Sequence, residues 1–354
     1  MKNIIKKVQN KERITKEEAL KLYDLELLEL GELANQIREE KYGKKSYFNI
    51  NRHINPTNIC KDTCKFCAYS ATRKNPNPYT LTIQEIVNIA KDAASKGAKE
   101  VHIVSAHNPD AGLNWYINSF KSVKEALPNI HIKALTAAEI HFLATEFNKS
   151  YEEIIELMIE SGVDSMPGGG AEIFDEEIRD RICKGKVSSK DWLKIHSLWH
   201  KQNRKSNATM LFGHIENRVH RVDHMNRLRE LQDKTNGFNC FIPLVYQREN
   251  NYLKVEKFLT ANEILKTYAI ARIFLDNIPH IKAYWATSTI NLALLAQEFG
   301  CDDLDGTIQK ESIQSAAGAN SANGLALDDF VNLIKDSGFI PVQRDSLYNE
   351  LKVY

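Results

Sequence analysis

The stretch Asn58-Ile59-Cys60-Lys61-Asp62-Thr63-Cys64-Lys65-Phe66-Cys67 gathers three of the six cysteines within eight residues, at the spacing C-x3-C-x2-C. Thiolates at this spacing can surround one compact centre. With zinc, a nearby His would have to be the fourth ligand. With a [4Fe-4S] cluster, three thiolates leave one iron open for a further ligand. The spacing and the aromatic Phe66 favour the cluster, held by Cys60, Cys64 and Cys67; a structural zinc loop is the alternative.

Outward from this loop, short β-prone runs alternate with helical patterns. The predicted strands are 47–55, 100–105, 131–135, 163–166, 206–211, 238–243, 280–284 and 303–306, and helical patterns include 82–96, 115–126, 151–161, 191–202, 218–234 and 261–276. Such alternation builds right-handed βα units and a parallel sheet. It predicts an α/β fold, a TIM-type (β/α) barrel with eight parallel strands. The cysteine loop follows the first strand, and the loops at the C-terminal ends of barrel strands carry the active site.

Three parts of the chain are predicted around this barrel. Residues 1–45 have the spacing of a charged amphipathic helix and predict an N-terminal helical extension. Residues 46–338 form the barrel. Residues 339–354 are expected to be a C-terminal tail packed on the barrel.

The composition excludes several classes of function. Charged residues make up 26% of the 354 residues and the formal net charge is +1, which argues against disorder and against a strongly basic nucleic-acid-binding surface. No apolar run has the length of a signal peptide or of a membrane span. We therefore expect a cytoplasmic protein that binds neither nucleic acid nor membrane. In that reducing compartment, Cys183, Cys240 and Cys301 are predicted to be buried as small apolar side chains.

The motif formed by Cys60, Cys64, Phe66 and Cys67 resembles the signature of the radical S-adenosylmethionine (SAM) superfamily. Other segments resemble the futalosine-pathway enzymes of menaquinone biosynthesis, namely NRHINPTN at 51–58, DSMPGGGAE at 164–172, NATMLFGH at 207–214 and FIPL at 241–244. The resemblance extends from about Tyr47 to Tyr348. Within this group, RHIN at 52–55 and NNYL at 250–253 favour the aminofutalosine synthases.

The resemblance implies a transferase reaction that forms a carbon–carbon bond. The open iron binds the amino and carboxylate groups of SAM, and reduction cleaves SAM to a 5′-deoxyadenosyl radical. The radical adds to 3-[(1-carboxyvinyl)oxy]benzoate, and the product is 6-amino-6-deoxyfutalosine. The implied partners are this enolpyruvyl benzoate and an electron donor such as flavodoxin or ferredoxin. The alternatives are cyclic dehypoxanthine futalosine synthase, the deazaflavin synthase half that joins tyrosine to a pyrimidine, and a non-catalytic metal-binding module.

The resemblance also implies which residues contact SAM. Gly168 and Gly169 follow the fourth strand, where they are predicted to open a helix whose N–H groups favour anions or ribose hydroxyls. The implied contacts are Phe66, Ser105, Glu139, Gly168, Gly169, Glu172 and His214. Five of them have a structural alternative: a tight turn for the two glycines, a helix-dipole partner for the two glutamates and a structural hydrogen bond for His214. The family often has a Gly-Gly-Leu-His-Pro turn where this chain has Ser105-Ala106-His107-Asn108-Pro109.

His53 is the predicted catalytic residue. Along the first strand Asn49, Asn51, His53 and Asn55 alternate with Phe48, Ile50, Arg52 and Ile54, and side chains two apart share a face. The polar face is expected to point into the barrel. An imidazole there could hydrogen-bond a substrate carboxylate or move a proton. The alternative is a core histidine that holds neighbouring strands together.

Overall fold

Ten strands are present in the part of the chain that the structure, a computed structural model, describes, which is residues 1–308, 311–319 and 324–354. They are β1 Lys45–Asn49, β2 Asn51–Ile54, β3 Glu100–Ile103, β4 His131–Ala134, β5 Ser206–Phe212, β6 Phe238–Val245, β7 His280–Ile281, β8 Asp303–Gly306, β9 Ile340–Arg344 and β10 Glu350–Val353. The predicted first strand is divided into β1 and β2. The predicted fourth strand is reduced to two single bridges, at Ser165 and Met166.

The parallel pairing runs round a full circle. β2 pairs with β3 and β3 with β4, and β5 pairs with β6 and β6 with β7. Bridges at Ser165 and Met166 join β4 to β5, and a bridge from Lys282 to Asp303 joins β7 to β8. β8 pairs with β1, which continues into β2. The predicted eight-stranded parallel barrel is therefore confirmed, and these pairings close it.

The helices surround the barrel. They are α1 Lys2–Gln9, α2 Lys16–Leu22, α3 Leu27–Tyr42, α4 Ile83–Ser95, α5 Leu113–Ala126, α6 Ala137–Glu146, α7 Tyr151–Glu160, α8 Glu176–Cys183, α9 Ser189–Lys201, α10 Arg218–Thr235, α11 Ala261–Phe274, α12 Trp285–Ser288, α13 Ile290–Leu295, α14 Ile313–Ala316 and α15 Leu327–Asp336, with a 3₁₀ turn at Ala296–Phe299. None of these described helices is long and apolar enough to cross a membrane. β5 shows how the layers form, because Ala208 and Met210 join the apolar core while Asn207 and Thr209 line the barrel cavity.

The first strand divides because its neighbour changes along its length. The lower half, β1, pairs with β9, from Lys45 opposite Ile340 to Phe48 opposite Gln343. The upper half, β2, pairs with β3, starting from Asn51 opposite Glu100. The C-terminal strand β9 therefore takes the place that β3 would occupy beside β1.

The C-terminal segment closes the end of the barrel opposite the cysteine loop. β9 and β10 are antiparallel, and the turn between them brings Ser346 under the strands. The side chain of Asn239, at the start of β6, donates to the carbonyl oxygen of Ser346, and the Ser346 hydroxyl donates to Glu100 at 2.5 Å. Arg344 donates to Asp303 at the start of β8. These contacts hold the turn against the starts of three barrel strands.

Candidate active site

A cavity of about 260 Å³ opens inside the barrel at the C-terminal ends of the strands. We call its upper wall the rim, formed by Cys60, Cys64, Phe66, Cys67, Ser105, Thr136, Gly168, Gly169, Gly170, Glu172 and Lys186. We call its lower wall the floor, formed by His53, Glu100, His102, Lys133, Lys282 and Asp305. The rim residues come from loops, and the floor residues come from the strands or, for Lys282, from the residue directly after β7.

The cysteine loop presents three free thiols to the cavity. Cys60, Cys64 and Cys67 are half-buried and none is in a disulfide. Backbone hydrogen bonds hold the loop in place, from Lys61 N–H to the His107 oxygen and from Lys65 N–H to the Ile182 oxygen, both at 2.8 Å. Burial raises the pKa of the Cys60 and Cys64 thiols. A bound metal centre would offset this effect, because it favours the thiolate form. Three sulfur donors that line one cavity therefore fit an iron–sulfur cluster.

A mixed set of donors lies beside the thiols. Potential ligand atoms of Cys60, Asp62 and His107 lie within 4.8 Å of one another. His107 Nδ1 lies 3.0 Å from the Asp62 carboxylate, and its ring stacks on Phe142. Sulfur, oxygen and nitrogen ligands suit zinc, but this set would leave Cys64 and Cys67 without a role. The geometry therefore favours the three-thiol centre.

The glycine turn forms a wall of the rim without side chains. A Cβ on Gly168 would lie 2.7 Å from the Thr209 nitrogen, and one on Gly169 would lie 2.8 Å from the Thr136 methyl carbon. The turn thus lies directly against β5 and the start of α6. The prediction that it opens a helix is wrong, because α8 begins at Glu176 and is capped by Asp175, whose side chain accepts from Ile178 N–H.

Glu172 and Lys186 form an ion pair on the rim. Their charged atoms are 2.7 Å apart, and the Lys186 ammonium also lies 5.6 Å from the centre of the Phe66 ring. Burial by itself would raise the pKa of Glu172, but the Lys186 charge lowers it below its ordinary value. Glu172 therefore stays ionised at the cavity wall. Sequence reasoning missed Lys186, which lies on a loop with no motif around it.

Two predicted contact residues lie off the cavity wall. Both carboxylate oxygens of Glu139 accept backbone N–H groups, from Ser105 at 2.8 Å and from Thr136 at 2.7 Å. The side chain of His214 is fully buried, with Nδ1 3.2 Å from Glu216 and Nε2 3.0 Å from the Leu211 oxygen. Burial raises the pKa of Glu139 and lowers that of His214. The structure brings Phe66, Ser105, Gly168, Gly169, Glu172 and His53 to the cavity, but not these two.

The floor contains charged pairs that sequence reasoning did not identify. Lys133 Nζ lies 2.6 Å from Glu100, and Lys282 is paired with Asp305. The rings of His53 and His102 meet edge to face, 4.6 Å apart. A signal was present, since Glu100 and His102 alternate with Val101 and Ile103 in the same way as the polar residues of the first strand.

A parallel eight-stranded barrel with three thiols at C-x3-C-x2-C spacing on its rim is the arrangement of enzymes that use SAM for radical chemistry. Residues 54–228 match the Radical SAM superfamily, and residues 235–354 match the CofH/MqnC C-terminal region. The chain belongs to the radical SAM superfamily and, within it, to the family that carries this C-terminal region. It is therefore an enzyme of adenosyl-radical chemistry, which implies an iron–sulfur cluster, SAM and a reductant.

Relatives with three different activities are similar over nearly the whole chain. Aminodeoxyfutalosine synthase of Thermus thermophilus is 41% identical over 99% of this chain and 96% of that protein. Cyclic dehypoxanthine futalosine synthase of Streptomyces coelicolor is 35% identical over 97% and 86%. The 5-amino-6-(D-ribitylamino)uracil–L-tyrosine 4-hydroxyphenyl transferase of Methanococcoides burtonii is 36% identical over 96% of each. The family is thus shown, and the activity within it is a separate question.

The fold is also found in a solved structure. Methylornithine synthase has a TM-score of 0.76, with 18% sequence identity over 96% of this chain and 97% of that one. At this identity the likeness concerns the fold alone.

Proposed function

We propose that this enzyme is an aminofutalosine synthase, which joins the adenosyl group of SAM to 3-[(1-carboxyvinyl)oxy]benzoate and forms 6-amino-6-deoxyfutalosine. The observation that carries the proposal is the 41% identity with the Thermus thermophilus aminodeoxyfutalosine synthase over nearly the full length of both chains. The two other activities occur in relatives of 35% and 36% identity. The cavity inside the barrel, with the three thiols in its wall, is where SAM and the substrate would meet.

Cys60, Cys64 and Cys67 would hold a [4Fe-4S] cluster, since all three thiols line one cavity. When bound, the cluster and SAM supply a 5′-deoxyadenosyl radical. Phe66, Ser105, Gly168, Gly169 and Glu172 lie on the rim around this position and are the proposed SAM contacts. Glu139 would act as a positioning residue, because it holds the backbone N–H of Ser105.

His53 is the proposed catalytic residue on the floor. Its ring lines the cavity, and burial lowers its pKa, so the imidazole is neutral. A neutral imidazole can donate a hydrogen bond to a carboxylate and can accept a proton when the rearranged product forms. An electron donor such as flavodoxin or ferredoxin is the proposed partner. Three thiols that hold a cluster require a reducing compartment, which supports the cytoplasm as the location.

The test is anaerobic turnover with SAM labelled in its adenosyl group. The reconstituted enzyme, the enolpyruvyl benzoate and a reductant should place the label in a covalent product that contains the benzoate. Free 5′-deoxyadenosine should be a minor product. If stoichiometric free 5′-deoxyadenosine forms and carries deuterium from a labelled futalosine derivative, the enzyme is the cyclic dehypoxanthine futalosine synthase instead.

A further inference from the structure

Three neighbouring strands present nitrogen side chains at one level of the barrel. His53 of β2 lies opposite His102 of β3, and His102 lies opposite Lys133 of β4. All three side chains line the cavity. Parallel strands in this register place the three groups in a row across the floor, and we call them the nitrogen row.

The row lies well below the rim. Ser105 follows His102 by three residues and Thr136 follows Lys133 by three, and both belong to the rim. A strand rises by about 3.3 Å per residue, so the row is about 10 Å deeper than the rim. A substrate whose reacting end lies beside SAM at the rim would reach the row with its opposite end.

The row offers hydrogen-bond donors that the surrounding protein does not use fully. Within the described residues, Nε2 of His53 and Nε2 of His102 have no hydrogen-bond partner. Buried polar atoms of this kind are rare, because each costs free energy unless a ligand or water pairs with it. The Lys133 ammonium has three N–H groups, and one is directed to Glu100 at 2.6 Å.

Glu100 is itself held from below. The Ser346 hydroxyl donates to the same oxygen, Oε2, that accepts from Lys133. Burial by itself would raise the pKa of Glu100, but Lys133 keeps it well below its ordinary value. The carboxylate is thus ionised and fixed, which orients the Lys133 ammonium at the floor.

We propose that His102 and Lys133 bind the benzoate carboxylate of the substrate, the end remote from its vinyl group. This inference rests on the proposed function, which supplies the identity of the substrate. The vinyl group must meet the adenosyl carbon at the rim, so the ring carboxylate is the group that extends to the floor. The His102 imidazole and the Lys133 ammonium are donors that match a carboxylate. This site would make the enzyme bind substrates with a ring carboxylate more tightly than analogues that lack one.

The test measures binding without turnover. The reconstituted enzyme with SAM, and without reductant, is titrated with 3-[(1-carboxyvinyl)oxy]benzoate by calorimetry. His102→Leu and the charge-neutral double variant Lys133→Met with Glu100→Gln should each raise Kd by about tenfold or more, since a hydrogen bond to a charged group is lost. The matched control is His220→Gln at the third residue of α10, where Gln can keep the capping box with Asn217.

A second ligand shows which substrate group is involved. For 2-phenoxyacrylate, which lacks the ring carboxylate, the wild-type enzyme should bind weakly and His102→Leu should bind it no worse than wild type does. An equal loss for both ligands would overturn the proposal, because the histidine would then contact some other part of the substrate. Unchanged binding of the enolpyruvyl benzoate by His102→Leu would overturn it as well.

Failure of the proposed function gives a different pattern. If wild-type enzyme neither binds nor converts the enolpyruvyl benzoate, both the function and this inference fall. If wild type converts it and the His102→Leu variant binds it normally, only the inference falls. Should the double variant not fold, as judged by circular dichroism and Tm, His102→Leu and His102→Asn decide the outcome, because the uncharged His102 can be replaced without removing an ion-pair partner.

Discussion

The rim and the floor of the cavity are built in different ways. The thiols of the rim come from a single loop of eight residues, Cys60 to Cys67, and the glycine turn adds one more short segment. The floor takes side chains from β2, β3, β4 and β8 and from Lys282 directly after β7, and the turn between β9 and β10 supports it from below. The thiols and the glycine turn of the rim therefore follow from local sequence, whereas the floor exists only once the whole barrel has closed. We expect changes at the rim to stop the chemistry, and changes at the floor to alter how the substrate is used.

The largest effect is expected at the rim. Replacement of Cys60, Cys64 or Cys67 by Ala should abolish SAM cleavage and remove much of the iron, because each thiol is one of three protein ligands. Iron analysis, visible absorbance and 5′-deoxyadenosine formation measure this after anaerobic reconstitution.

The buried cysteines provide matched controls for this prediction. Cys183, Cys240 and Cys301 are buried as the sequence predicted, and Cys→Ala at each should leave iron content and SAM cleavage intact. The smaller side chain should lower the free energy of unfolding by about 1 kcal/mol. A folded Cys240→Ala variant without iron would show that the ligands are assigned wrongly.

The next largest effect is expected at the floor, from His53→Asn. The variant should keep its cluster and still cleave SAM, but coupled product should fall by about 100-fold, the usual contribution of a positioned acid or base. Free 5′-deoxyadenosine should rise by the amount of coupled product that is lost, because the radical is made without adding to the substrate. Product analysis by mass spectrometry measures the ratio. A wild-type rate of coupled product would make His53 a purely structural residue, and the contrast between rim and floor would then be wrong.

The sequence predicts the rim better than the floor for a physical reason. The C-x3-C-x2-C spacing is complete within one loop, so no tertiary contact is needed to recognise it. The alternation that identified His53 is also present around His102 and Lys133, and it could have been read there. The contact between Ser346 and Glu100 joins residues 246 positions apart, and no local pattern encodes it.

Helix caps are local sequence signals, and one of them explains why the prediction that the glycine turn opens a helix is wrong. Asp175 has the position of a helix N-cap, and its side chain does accept from Ile178 N–H. That signal places the start of α8 after the glycine turn. Thr136 and Glu139 form a capping box, which accounts for the buried Glu139 carboxylate. The Asp175 N-cap and the Thr136–Glu139 capping box can both be predicted from the sequence if helix caps are considered before ligand contacts.

A smaller effect is expected from Ser346→Ala, which removes support from the floor without touching the cavity. Among the described residues, Glu100 accepts from the side chains of Lys133 and Ser346, so loss of the Ser346 hydroxyl would hold Lys133 less firmly. Kd for the enolpyruvyl benzoate should rise by about threefold, the size of one modest hydrogen bond, while SAM cleavage stays unchanged. Ser337→Ala is the control, because its hydroxyl donates to Leu333 at the end of α15 and has no link to the floor. Equal Kd values for the two variants would show that the C-terminal turn does not support the site.

The smallest effect is expected from pH, since the histidines of the floor do not titrate in the physiological range. Burial lowers the pKa of His102 to about 3, and it lowers that of His53 as well.

The charged groups facing His102 include Glu100 and Asp305. Although burial opposes ionisation of both carboxyls, their pKa values lie below the ordinary range because Lys133 and Lys282 are their respective partners. Between about pH 6.5 and about pH 8, His102 thus binds no proton, and the substrate carboxylates are ionised throughout. A bound carboxylate raises the pKa of a neighbouring imidazole by about 1 to 3, which still leaves it mostly neutral. Kd for the enolpyruvyl benzoate should therefore change by less than about twofold across this range.

If His102 had the ordinary histidine pKa, its protonation would add a positive charge, and binding would tighten several-fold on going from about pH 8 to about pH 6.5. Calorimetric titrations at the two pH values, with His102→Leu measured in parallel, distinguish a neutral donor from a charged one.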